Sequence, residues 1–127
     1  EIALADARKG VSMFKMDSID VPVIGIIENM SFFTPIESPS NKYYIFGKDG
    51  AKNLAEKLGV NLLAQIPIVQ SLREASDAGH PAVLQSNTEI SNSFINLAEK
   101  VVKVVDERNL SLPSTKSVEI TNMKGCS

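Results

Sequence analysis

The sequence predicts an α/β fold in which a partial parallel sheet is flanked by helices. Three observations carry this reading. Residues Val21 to Ile27 run almost continuously apolar and β-branched, as strands covered on both faces do. A second buried strand is read from Leu62 to Ile66. Segments with apolar residues at helical spacing precede, separate and follow these runs, and that order calls for parallel strands joined by right-handed crossovers.

The elements follow in order. Ala3, Leu4, Ala7, Val11 and Phe14 share one helical face, which predicts a helix from Glu1 to Met16 with Gly10 as its weak point. Asp17 to Asp20 form a turn into the first strand, which Glu28 and Asn29 end with polar groups. Ser31 to Asn41 is rich in Ser and Pro and reads as an irregular excursion, with Tyr43 to Phe46 as the return strand of a hairpin. Asp49 is a candidate cap for a helix with apolar Ala51, Leu54, Ala55 and Leu58, and Gly59 stands where a left-handed stop is wanted. Pro67 closes the second strand, and a short helix from Gln70 to Ala78 ends at Gly79. Thr88 caps a long helix whose stripe of Ile90, Phe94, Leu97, Ala98, Val101 and Val105 runs to about Glu107. The expected organisation is therefore a domain over residues 1–109 and a flexible tail over residues 110–127.

Composition narrows the function. The 127 residues are 43% hydrophobic and 22% charged, a balance that excludes disorder, collagen and coiled coil. Thirteen Lys and Arg against fifteen Asp and Glu give a net charge of −2, which argues against nucleic acid or an anionic membrane as main partner. The longest apolar run falls far short of the ~20 residues a spanning helix needs. One cysteine, Cys126, permits no intrachain disulfide and points to the reducing cytoplasm. Glu1 opens inside a helix without a starting Met or a leader pattern, so a fragment of a longer protein is expected.

Recognisable hydrolytic chemistry is missing from the chain. A phosphate-binding loop of the form G-x-x-x-x-G-K-[ST] needs clustered backbone amides and a lysine, and even the nearest candidate, Gly47-Lys48, fails: Asp49 follows it and Lys42 stands five residues before the glycine. There is no G-x-S-x-G elbow, no H-E-x-x-H, and a single histidine, His80. Open parallel sheets present their carboxyl-end loops to ligands, which places Glu28, Asn29 and Pro67 on the binding edge. Read alone, Asn29 is a turn residue, Asp6 a solvated helix residue, His80 a loop residue and Cys126 an exposed thiol, while Pro67 is as much a strand terminator as a ligand contact. Phe32, Phe33, Tyr43, Tyr44 and Phe46 either form an interaction surface or pack the hairpin over the sheet.

Four separated blocks, ALADARKG from Ala3, VIGIIENM from Val23 to Met30, YIFG from Tyr44 to Gly47 and IPIVQSLREASDAGHP from Ile66 to Pro81, occur in an order and spacing that resemble the carboxyl half of the Mrp/ApbC-type P-loop ATPases. These are carriers and scaffolds of iron-sulfur clusters, related to MinD and ParA. The resemblance covers about Glu1 to Val105. It implies ATP hydrolysis by the full-length protein, with the Walker A loop, its lysine and the magnesium ligands upstream, so that this fragment alone is inactive and holds no catalytic residue. It further implies that Asn29 reaches the adenine, as suits a carboxamide with a donor and an acceptor side by side. Pro67, Ile68 and Val69 would frame the purine, and Asp6 would face the partner subunit in a homodimer.

In one respect the chain departs from that pattern. Many members carry C-P-x-C between the ENM and IFG blocks, giving a dimer four thiolates for a [4Fe-4S] cluster. Here the segment reads FFTPIESPSNKYYIFG, with Thr34-Pro35 near the expected place and no thiol from Glu1 to Gly125. The resemblance thus implies ATP, magnesium and client proteins, while the usual cluster ligands are missing. The rival readings are an ATP-dependent adapter of the MinD/ParA kind that binds partner proteins without a cluster, and a structural α/β domain without activity.

Overall fold

The computed structural model describes residues 2–85 and 88–115. Helix α1 (Ile2–Phe14) leads through a turn to strand β1 (Gly25–Glu28), and after the excursion helix α2 (Gly50–Leu58) leads to strand β2 (Asn61–Gln65). Helix α3 (Gln70–Asp77), a 3-10 turn (Ala82–Leu84) and helix α4 (Glu89–Ser111) complete the order. The strands pair in parallel, so the predicted α/β class with a partial parallel sheet is what the chain adopts.

Both strands are shorter or shifted against their sequence patterns, and the neighbours explain why. Val21 to Ile24 lie outside the ladder: Val21 N–H donates to the carbonyl of Phe14 at 2.9 Å, and Pro22 has no N–H to give. Their counterpart on the other strand is committed as well. Gly59 adopts φ 68, and Val60 N–H donates to the Ala55 carbonyl at 3.0 Å, the back-bond of a Schellman stop that ends α2 just before β2. Pairing therefore begins only at Gly25 opposite Asn61. The register shifts between Ile26 and Ile27, leaving Leu63 as the extra residue of β2. Its carbonyl accepts from Lys100 Nζ of α4 at 3.1 Å, which satisfies a group at the point where the ladder is irregular.

Asp49 does not cap α2 with its side chain. It sits at φ 62, and its side chain makes no cap hydrogen bond. The carboxylate of Glu28, from the end of β1, accepts from Ala51 N–H at 3.3 Å instead. Thr88 does cap α4 as the sequence predicts, its hydroxyl accepting from Ser91 N–H at 3.1 Å. That helix runs past Glu107 to Ser111, so Asn109 to Ser111 are helical, while the remainder of the expected tail from residue 116, with Cys126, lies outside the described residues.

The core sits where these elements converge. Ile66, Ala82 and Ile90 are buried together, with Ala64, Val69, Leu72, Phe94 and Leu97 packed around them. Ala51, Leu54 and Ala55 bury the face of α2, which packs on both strands and on α1. No described helix is long and apolar enough to cross a membrane.

Candidate functional site at the strand tips

The carboxyl tips of the two strands are laced together beyond the regular ladder. Ile66 N–H donates to the Glu28 carbonyl at 2.8 Å, and the Ile66 carbonyl accepts from Ser31 N–H at 2.9 Å and from Ser31 Oγ at 3.1 Å. In a regular parallel ladder one residue bonds to two residues that are two apart on its neighbour. Here the partners are Glu28 and Ser31, so one extra residue is accommodated, and Asn29-Met30 bulges from the strand end. Met30 takes φ 55, the left-handed conformation such a bulge needs. Ser31, 4% exposed, anchors the far side of the bulge.

Pairing then resumes. Ile68 N–H donates to the Phe32 carbonyl at 2.7 Å, and Phe33 bridges both Ile68 and Tyr43. Pro67 therefore does not close the strand contact: it stands between two residues that bond across, where its missing N–H costs nothing. The expected hairpin reduces to one pair, Phe33 and Tyr43, bonded at 2.9 and 2.8 Å, and Tyr44 to Phe46 form no return strand. Pro35 and Pro39, neither of which can donate to a ladder, break the intervening segment.

Asn29 is exposed on this bulge, its Oδ1 accepting from Met30 N–H at 3.0 Å. The second lone pair of that oxygen and both protons of the amide nitrogen are left for a ligand. Asn29 also lines a cavity of about 430 Å³ bounded by Leu4 and Ala7 of α1, Glu28, Phe46 and Lys48. Pro67 and Ile68 lie half-buried on the adjoining tip, outside that cavity. The tips of β1 and β2 thus bring Asn29, Pro67 and Ile68 to one edge of the sheet. Val69 is turned to the core cluster around Ile66. Asp6 stays apart from these residues, exposed on α1 and paired with Lys9 at 3.6 Å.

The excursion divides its aromatic residues between the two sequence readings. Phe32 and Tyr44 pack together with ring centres 6.3 Å apart, Lys42 Nζ lies 4.1 Å over the Phe32 ring and Lys48 Nζ 5.1 Å over Tyr44. Tyr43, Ile45 and Phe46 face solvent. Among the described residues no group of three or more His, Cys, Asp or Glu side chains is placed to hold a metal ion. His80 borders a more open depression of about 660 Å³ beside α3 and the 3-10 turn, away from the strand tips.

Sequence reasoning missed the extra residue at Asn29-Met30, the anchoring role of Ser31 and the bond from Glu28 to the start of α2. A Glu ahead of the Asn was the one visible signal, and nothing in residue type announces a left-handed methionine.

A family model described as ParA, NUBPL iron-transfer P-loop NTPase, matches residues 1–102. A protein of Arabidopsis thaliana named iron-sulfur protein required for NADH dehydrogenase, mitochondrial, is 44% identical over 110 residues, covering 84% of this chain and 34% of its own. An iron-sulfur cluster carrier protein of Haemophilus influenzae is 48% identical over 102 residues, covering 80% and 27%. The iron-sulfur cluster transfer protein NUBPL of Mus musculus is 40% identical over 104 residues, covering 81% and 32%. The chain thus spans about a third of the length of these relatives.

Proposed function

We propose, from the fact that this chain belongs to the ParA family of NUBPL-type iron-transfer P-loop NTPases, that it supplies the adenine side of an ATP site in a protein of iron-sulfur cluster transfer. The observation that supports the reading is the Asn29-Met30 bulge, which presents an exposed carboxamide at the carboxyl tip of β1, on the same sheet edge as Pro67 and Ile68. In this reading the Asn29 amide donates to a ring nitrogen of adenine while Oδ1 accepts from its exocyclic amino group. Half-buried Pro67 and Ile68 offer an apolar surface to the base. Val69 contributes by holding Ile68 against the core.

Hydrolysis is proposed for the whole protein, since no stretch of the 127 residues has the phosphate-binding pattern. Magnesium and a lysine at the phosphates would stabilise the transferring group there. We place Asp6, exposed on α1, at a homodimer contact in the nucleotide-bound state. The relatives named as cluster carriers support a role in iron-sulfur transfer, with the cluster as cargo. Residues 2–85 and 88–115 do not fit as its ligands, because they include no thiol and no candidate metal group. That same observation, with the exposed Tyr43, Ile45 and Phe46, favours the second reading of an ATP-dependent adapter that docks partner proteins through the excursion.

Calorimetric titration of the whole protein with ATP tests the proposal. Asn29→Ala is expected to weaken binding about tenfold, the worth of one or two neutral hydrogen bonds. Unchanged affinity in that variant overturns the assignment.

A further inference from the structure

Glu28 stands immediately before Asn29, and its side chain ties together three elements. Oε2 accepts from Gln65 Nε2 at the end of β2, 2.6 Å away, and Oε1 accepts from Ala51 N–H in the first turn of α2, 3.3 Å away. An anionic acceptor at a helix amino end is favoured both by the unpaired N–H groups and by the helix dipole. The Asn29-Met30 bulge therefore has two fixed roots. Ser31 secures the far side through the Ile66 carbonyl, and Glu28 secures the near side through Gln65 and Ala51. Because α2 begins where the excursion ends, the Glu28 carboxylate also joins the end of that excursion to the strand tip.

We infer that Glu28 is a positioning residue, which holds the root of the bulge so that the Asn29 carboxamide is presented in one orientation to its ligand. The inference rests on the adenine reading of Asn29 for its functional meaning, but the structural link stands on the hydrogen bonds themselves. Both Glu28 carboxylate oxygens are already engaged, by Gln65 and by Ala51. The effect of Glu28 passes through Asn29, so removing it lowers the order of the carboxamide. Glu28→Gln preserves the arrangement: its oxygen still accepts from Ala51, and its amide donates to Gln65 once that side chain turns its own oxygen inward.

The test uses the whole protein with Glu28→Ala, Glu28→Gln and Asn29→Ala. Relaxation of the ¹⁵N-labelled Asn29 side-chain amide without nucleotide reads the link directly. The order parameter is expected to fall clearly below the wild-type value in Glu28→Ala and to stay near it in Glu28→Gln. With ATP, Glu28→Ala is expected to weaken binding about three- to tenfold, Glu28→Gln to restore it, and the Glu28→Ala effect to vanish when Asn29 is already alanine. A carboxamide as ordered in Glu28→Ala as in wild type overturns the inference, even if the melting temperature falls. An ordering effect as expected, with ATP affinity indifferent to Asn29→Ala, supports the positioning link and removes the adenine reading instead.

Discussion

The side chain of Leu63 fills the space that Gly25 leaves by having no β-carbon: a carbon placed there would lie 2.6 Å from both Cγ and Cδ1 of Leu63. Leu63 is the residue displaced by the register shift and is 5% exposed, so it has little room to move. Gly25→Ala is expected to lower the unfolding free energy by about 1–3 kcal/mol, the usual cost of overpacking. Urea unfolding of the whole protein checks this, and a change within about 0.5 kcal/mol shows that Leu63 swings aside freely.

Lys100 and Lys103 lie on the same helix but differ in what they hold. Lys100 Nζ donates to the Leu63 carbonyl, whereas Lys103 reaches Glu107 at 4.0 Å with both side chains mostly in water. Lys100→Met is expected to cost about 1 kcal/mol and Lys103→Met less than about 0.5 kcal/mol. Equal losses in thermal unfolding of the two variants contradict the assignment of Lys100 to the strand irregularity.

The start of α4 depends on the Thr88 hydroxyl, which accepts from Ser91 N–H. Thr88→Ala is expected to destabilise by about 1 kcal/mol and Thr88→Ser to retain most of the stability. If both variants unfold as wild type does, the cap contributes nothing.

The excursion is expected to hold no cluster. After anaerobic reconstitution with iron and sulfide, whole protein carrying Thr34→Ala, Glu37→Ala and Ser38→Ala together is expected to bind as much iron as wild type. Loss of half or more of the bound iron identifies oxygen ligands in this segment, against the poor match of hard oxygen donors to iron-sulfur centres.

The α/β class was legible in the chain because parallel strands write themselves as apolar β-branched runs and amphipathic helices as a 3.6-residue period. The expected burial of both strands is not met: only Leu63 of β1 and β2 is buried, and Ile27 is exposed. Gly59 and Thr88 also marked the stop of α2 and the start of α4 correctly, since each meets a local backbone requirement. Strand ends were less legible. Val21 to Ile24 carry the strand pattern, yet pairing depends on a partner that the stop of α2 withholds. Asp49 has the right type for a cap, but the neighbouring strand delivers Glu28 to the same helix end. At the candidate site, Asn29 follows from where β1 ends, and the placing of Asn29 and Pro67 on one sheet edge follows from parallel pairing. The bulge does not, because it arises from bonds between segments 35 residues apart, Ser31 N–H and Oγ to the Ile66 carbonyl.

The central claim is that a purine ring rests at the joined tips of β1 and β2. Isotope-edited NMR of whole protein, ¹³C-labelled at isoleucine methyls and ¹⁵N-labelled at asparagine, reads it most directly with ATP bound. The account predicts cross-relaxation from adenine H2 or H8 to the Ile68 methyls and the Asn29 side-chain amide. Adenine protons that relax against other residues while leaving both of these silent contradict it.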